Sequence, residues 1–225
     1  MTEGIDLTRL DRLLDDDATV RDLRRYFAES PATGLPYTGR RFEALAGGGD
    51  RPETANRISA DDLVAVTTLS VSVPAEAAID LLDGALGEQL ALLLVDIPTG
   101  IPLADERAGD LVADGSGADR AWHLLTGVHG IQWVTAAKIL ARKRPHLLPV
   151  YDNVVRCVLR EPNSFWSSLH AALRDDGCSL DHQLQKVRTQ TGLDARISTI
   201  RVLDVVMWMR HHAEHVDRNC HGVTA

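Results

Sequence analysis

The stretch Leu125-Thr126-Gly127-Val128-His129-Gly130-Ile131-Gln132-Trp133-Val134-Thr135-Ala136-Ala137-Lys138 constrains the chain most. It closes one helix, turns at Gly130, and opens a second helix on small residues that let another backbone come close. Asp152 stands a short way downstream, in Pro149-Val150-Tyr151-Asp152-Asn153-Val154-Val155-Arg156. Pro149 disfavours helix until about Tyr151, and Asp152 is then placed to cap the next helix. A helical hairpin followed by one carboxylate at a helix start is the constellation here with a specific chemical meaning.

The rest of the chain is punctuated for helices. Leu7, Leu10, Leu13 and Leu14, then Val20, Leu23, Tyr26 and Phe27, recur at helical spacing and predict one or two short helices over residues 5–29. From Ser30 to Ile58, prolines and glycines predict a long irregular segment, with a short extended piece at Tyr37 to Phe42. Ser59-Ala60-Asp61-Asp62 reads as a capping box with Asp in place of Glu, opening a helix to about Val73. Pro74 suits a first helical position, and a helix follows through Leu82. The apolar run Leu90 to Val95 is either a buried helical turn or a strand. Ile97 to Gly117 reads as loop, and Ser116 or Asp119 caps a helix over Arg120 to Thr126. Further helices are expected over Val134 to Arg144, after Asp152, over Phe165 to Leu173, Leu180 to Thr191, and Ile197 to about His215. The fold class expected is all-α: one helical domain over residues 1–225. It comprises N-terminal helices and an irregular segment over 1–58, a helical body over 59–215 with its hairpin at about 120–144, and a frayed tail over 216–225.

The net charge of −8 argues against general attraction to nucleic acid, since phosphate contacts need Lys and Arg. The charge is unevenly placed, however. Residues 120–160 hold seven Lys and Arg against one acid, Asp152, which leaves −14 for the remainder. Three scattered cysteines, Cys157, Cys178 and Cys220, make neither a disulfide framework nor a CxxC pair. With no apolar leader and no run near the ~18 residues of a membrane span, a cytoplasmic protein without membrane contact is expected.

A glycine turn leaves the first N–H groups of the second helix without intrahelical acceptors, which suits a phosphate oxygen. Lys138, Arg142, Lys143 and Arg144 follow on that helix and are expected to extend the anion site. Val128-His129-Gly130-Ile131-Gln132-Trp133-Val134-Thr135-Ala136 resembles the hairpin of the helix-hairpin-helix DNA glycosylase superfamily. His129 stands at the family's proline, Gly130 at its first glycine, Ile131 at the apolar turn residue and Gln132 at the usual second glycine. Pro149-Val150-Tyr151-Asp152 resembles the segment in which that family carries its catalytic Asp. The resemblance covers roughly residues 120–160. The wording at Tyr37-Thr38-Gly39-Arg40-Arg41-Phe42-Glu43 and at Ser59 to Val66 resembles instead a bacterial family without assigned function.

The resemblance implies a helix-hairpin-helix glycosylase-like fold, duplex DNA as partner, and excision of a damaged or mispaired base flipped into a pocket. Asp152 would then stabilise the positive charge that builds on the sugar. His129, Gly130, Gln132, Lys138, Arg142, Lys143 and Arg144 would contact DNA, and Tyr151, Trp122 and Trp133 would stack on the base or serve the core. The lysine of strand-cutting members falls at Val134, so a monofunctional hydrolase is implied, without an iron–sulfur cluster or other cofactor. The alternative is a non-catalytic nucleic-acid-binding or scaffold protein of the same fold. His211-His212-Ala213-Glu214-His215 also fits the H-x-x-E-H pattern of certain zinc peptidases. His211 and His215 share a helix face, but a third ligand is needed, and the residues after them offer Asp217, Cys220 and His221. A solvated helix end, with no metal, is expected there.

Overall fold

Local signals set most helix boundaries in the computed structural model, which describes residues 5–14, 17–160, 162 and 164–217. Helices α1 (Leu7–Leu14), α2 (Asp17–Phe27), α3 (Ala60–Thr67), α4 (Ala75–Asp83), α5 (Ala85–Val95) and α6 (Ala108–Leu111) form the first half. The second half holds α7 (Gly117–Thr126), α8 (Trp133–Lys143), α9 (Asn153–Leu159), α10 (Phe165–Thr191) and α11 (Thr199–Asp217). No strand occurs among the described residues, and the chain is all-α. No helix among them is long and apolar enough to cross a membrane.

The caps are those the residue types dictate. The Ser59 N–H donates to Asp62 Oδ2 at 3.0 Å, so Asp62 serves as the N3 partner of α3. Ser116 Oγ accepts from the Asp119 N–H at the start of α7. Asp152 accepts from the Val154 and Val155 N–H groups at 3.0 and 3.1 Å and caps α9. α10 consists of two arms, because Asp176, Gly177 and Cys178 adopt positive φ between them.

Two local expectations need correction, and the run Leu90 to Val95 takes the helical of its two readings. Tyr37 to Phe42 is not extended: Thr38–Arg41 forms a 3₁₀ turn, closed by the Phe42 N–H on the Gly39 carbonyl. Leu90 to Val95 is helix, because it continues from Ala85 with Leu86, Leu90 and Leu94 buried on one side. α3 stops at Thr67 rather than Val73. The Thr67 and Thr68 hydroxyls donate back to the Val64 and Ala65 carbonyls, and Ser70 turns left-handed at φ 62°.

One apolar cluster runs from Leu10 to Met207. Two helices lie inside it. α11 buries every residue from Ile200 to Met207, and α8 every residue from Thr135 to Lys143. A helix buried all round carries its polar groups inward, and that is where the basic island goes. Arg142, Lys143 and Arg144 are 1%, 0% and 1% exposed. The expectation that they meet DNA is therefore overturned. They satisfy carbonyls of the irregular segment, whose short 3₁₀ turns pair only some of its backbone groups. Arg142 donates to the carbonyls of Phe42, Glu43 (2.8 Å) and Leu45 (2.6 Å). Lys143 Nζ donates to the Thr54 carbonyl at 2.7 Å. Arg144 donates to the carbonyls of Ala55, Ile97 and Leu94 and to Asn56 Oδ1. Asp62 faces both Arg142 Nε (3.1 Å) and Lys143 Nζ (2.9 Å). The packing is close enough that a Cβ on Gly49 would lie 2.4 Å from the Arg142 carbonyl oxygen.

Candidate functional site

The hairpin and Asp152 meet at one cavity of about 570 Å³. Gly130, Gln132, Val134, Thr135 and Lys138 line one wall, and Asp152 and Asn153 continue it. Gly130 turns at φ +85°, and a Cβ there would stand 2.6 Å from Pro74 Cγ, so the position demands glycine twice over. The lining also takes in Arg201, Asp204, Trp208, His212 and His215 from α11, together with Tyr26, Tyr37 and Gly39.

Asp152 is held from two sides. Its Oδ1 takes the two N–H groups of α9, and its Oδ2 lies 3.7 Å from Lys138 Nζ. Lys138 also donates to the Leu69 carbonyl at 2.9 Å. Burial pushes the Lys138 ammonium below the ordinary lysine range, and Asp152 opposes that shift. Lys138 is thus expected in the right place but with a different role: it faces the carboxylate from inside the cavity rather than reaching outward to a phosphate.

The α11 part of the lining carries a second charged group. Arg201 Nη1 donates to both oxygens of Asp204 at 2.8 and 2.9 Å, and its Nε lies 2.6 Å from Glu43 Oε1. Its Nη2 donates to Tyr26 Oη at 2.9 Å and to the Gly39 carbonyl at 3.1 Å. Burial pushes the Asp204 carboxyl up to about 7, and the Arg201 hydrogen bonds oppose it. Burial likewise raises Glu43.

The raised Asp204 has a measurable sign. Unfolded, its carboxyl titrates near the model-compound value of 3.8. Between that pH and about 7 the folded chain holds a proton that the unfolded chain has lost, so stability falls as pH rises across the window. Asp204→Asn removes this titration. Denaturant midpoints measured across that window are expected to fall with pH more steeply in the wild type than in the variant. Equal slopes would refute the assignment.

The aromatic residues divide into two places. Tyr26 and Tyr37 stack with centroids 5.2 Å apart, and Trp208 meets both edge-on. Trp208 in turn stacks on His212 at 4.2 Å. These rings face the Asp152 cavity. Trp122, Trp133 and Tyr151 do not. They line a separate depression of about 380 Å³ with Phe165, Trp166 and Arg156. There Tyr151 stacks on Phe165 at 3.8 Å, and Arg156 sits over Trp133 at 5.3 Å. Their expected place beside a flipped base is corrected accordingly: Tyr151 precedes α9 and lines the second depression, although Asp152 next to it lines the first cavity.

The structure thus brings Gly130, Gln132, Lys138 and Asp152 together. His129 is exposed at the hairpin tip and does not line the cavity. Arg142, Lys143 and Arg144 lie in the core. Tyr26, Tyr37, Trp208 and the Arg201–Asp204 pair are absent from the expected site. One signal for the pair was available: a cation and an acid three residues apart inside an otherwise apolar helix are one-sided enough to bury only as partners.

A family model described as "Family of unknown function (DUF6308)" matches residues 19–211. No curated protein and no solved structure matches the chain.

Proposed function

We propose that this chain, which belongs to the family of unknown function DUF6308, hydrolyses the N-glycosidic bond of a damaged or mispaired base in DNA. In this reading it is a cytoplasmic, monofunctional glycosylase of the helix-hairpin-helix kind. The observation that carries the reading is the position of Asp152, a helix-capping carboxylate that faces a cavity bordered by the hairpin turn at Gly130.

The chemistry follows from that placement. Cleaving the bond between base and sugar builds positive charge at the anomeric carbon. A carboxylate there stabilises the charge and orients a water for attack. Asp152 supplies it, and Lys138, 3.7 Å away, fixes its rotamer. Tyr37 and Trp208 line the cavity and offer apolar ring surface against which an extruded base can pack. At the lip, Gly130 and the start of α8 present backbone N–H groups to a phosphate. Val134 also lines the cavity, where a strand-cutting relative would carry its lysine.

Burial of Arg142, Lys143 and Arg144 sharpens what kind of DNA contact is available. Of the seven cations in residues 120–160, Arg120, Arg156 and Arg160 are the ones outside the core, so affinity of this face for undamaged duplex should be weak. Its logarithmic salt slope should be shallow, about −1 to −3. The deciding experiment incubates the protein with duplexes bearing alkylated, oxidised, deaminated or mismatched bases, and with free nucleosides, and measures released base. Release from at least one duplex supports the reading. Binding without release on every lesion would replace it by a non-catalytic nucleic-acid-binding role. Neither binding at low salt nor release from any substrate would overturn both.

A further inference from the structure

The H-x-x-E-H stretch on α11 acquires a partner that its own sequence neighbourhood does not supply. Cys157 projects from α9, which packs along α11. Its Sγ lies 3.1 Å from His211 Nε2. The rings of His211 and His215, one turn apart, have centroids 5.7 Å apart. One donor atom from each of Cys157, His211 and His215 lies within 4.8 Å of the others, and all three side chains are half-buried.

We propose that Cys157, His211 and His215 form a binding site for one zinc ion or a chemically similar divalent transition metal. A thiolate with two imidazoles is a borderline-soft donor set, which favours zinc over calcium or magnesium. Tetrahedral bonds of about 2.3 Å to sulfur and 2.1 Å to nitrogen set the sulfur–nitrogen edge at roughly 3.6 Å. The Cys157–His211 edge is a few tenths of an ångström shorter, within the reach of a side-chain rotation. A thiol–imidazole hydrogen bond accounts for that pair but not for the third donor, His215, at the same point.

The outer contacts fit as well. His211 Nδ1 faces Glu214 Oε2 at 3.5 Å. A carboxylate at that nitrogen holds its proton there and leaves Nε2 to the metal, the usual support of a ligating histidine. Glu214 is thus the orienting residue of the motif. Three protein ligands leave a fourth position for water or another small donor. His215 also lines the Asp152 cavity, so the ion lies at the cavity's edge. Cys220 and His221, which the sequence offers as further donors, lie outside the described residues. The site stands on its own geometry, whether or not Asp152 cleaves a glycosidic bond.

The test uses the reduced, chelator-stripped full chain and cobalt(II) as probe. One equivalent should bind with a thiolate-to-cobalt charge-transfer band and the strong visible absorption of a four-coordinate ion, and zinc should displace it. Cys157→Ser should abolish the charge-transfer band, and zinc affinity should fall about 100-fold or more in Cys157→Ser and His215→Ala. Cys178→Ser and Cys220→Ser should keep the band. Zinc should also slow alkylation of Cys157 in the wild type, a readout that does not depend on any variant folding. No stoichiometric cobalt uptake, a band that persists in Cys157→Ser, or alkylation of Cys157 unchanged by zinc would each overturn the site.

Discussion

Asp152→Asn is expected to keep the fold and to lose base release by about 10²–10⁴-fold. The variant separates two roles that one side chain plays. As a cap, Asp152 accepts the Val154 and Val155 N–H groups, and asparagine does this about as well. As a charge, it faces the cavity with Lys138 beside it, and an amide cannot stabilise a developing cation. The melting temperature should therefore move little, while turnover collapses and binding to lesion-bearing duplex survives. Asp152→Ala should lose both, with about 1 kcal/mol of stability gone through the missing cap. Full turnover in the asparagine variant would remove Asp152 from the chemistry and leave it as a helix cap only.

Asp62→Ala should be the most damaging single change to stability. The residue is 2% exposed and faces two cations, neither of which has access to water. Removing one member of a buried ion pair strands the other charge, and the cost is about 3–5 kcal/mol. For a chain of this size that corresponds to a fall in melting temperature of roughly 6–20 °C. Part of any loss belongs to the α3 cap, so Ser59→Ala is the control, at about 1 kcal/mol. Thermal denaturation of the pair distinguishes them. Equal, small losses would mean that Arg142 and Lys143 rest on the carbonyls alone and that Asp62 is merely the third residue of a capping box.

Residues whose partners are near in sequence were legible from the sequence. Ser59, Ser116 and Asp152 cap helices because the N–H groups they need follow within three residues. The two arms of α10 were separable for the same reason, since Gly177 interrupts the apolar spacing locally. The hairpin turn at Gly130 also follows from a short-range signal, whereas its convergence on Asp152 is what the resemblance to the glycosylase hairpin implies. What failed was any inference that needed burial. Arg142, Lys143 and Arg144 look like a solvated basic end because charge can be counted in sequence and exposure cannot. Their acceptors lie in residues 42–56 and at Leu94 and Ile97, far upstream. The aromatic residues failed likewise. Trp133 and Tyr151 are close to Asp152 in number, but Tyr37 and Trp208 are close to its cavity, and they come from opposite ends of the chain. Cys157 shows the same pattern, for it meets His211 across 54 positions.

The stapling of residues 42–56 by α8 has a consequence for how the chain is made. Arg142 reaches Phe42 and Glu43 across 100 and 99 positions, and Lys143 reaches Thr54 across 89. During synthesis at about 5–20 residues per second, the early segment leaves the ribosome some 5–20 s before its donors exist. Over that interval its carbonyls are met by water, and it presents a protease-accessible stretch with no α-helix of its own. Nascent chains halted before residue 140 should be cleaved within this segment, and chains carried past α8 should resist. A structural element so far from its support makes completion of α8, rather than emergence of the N-terminal helices, the event that commits this protein to its fold.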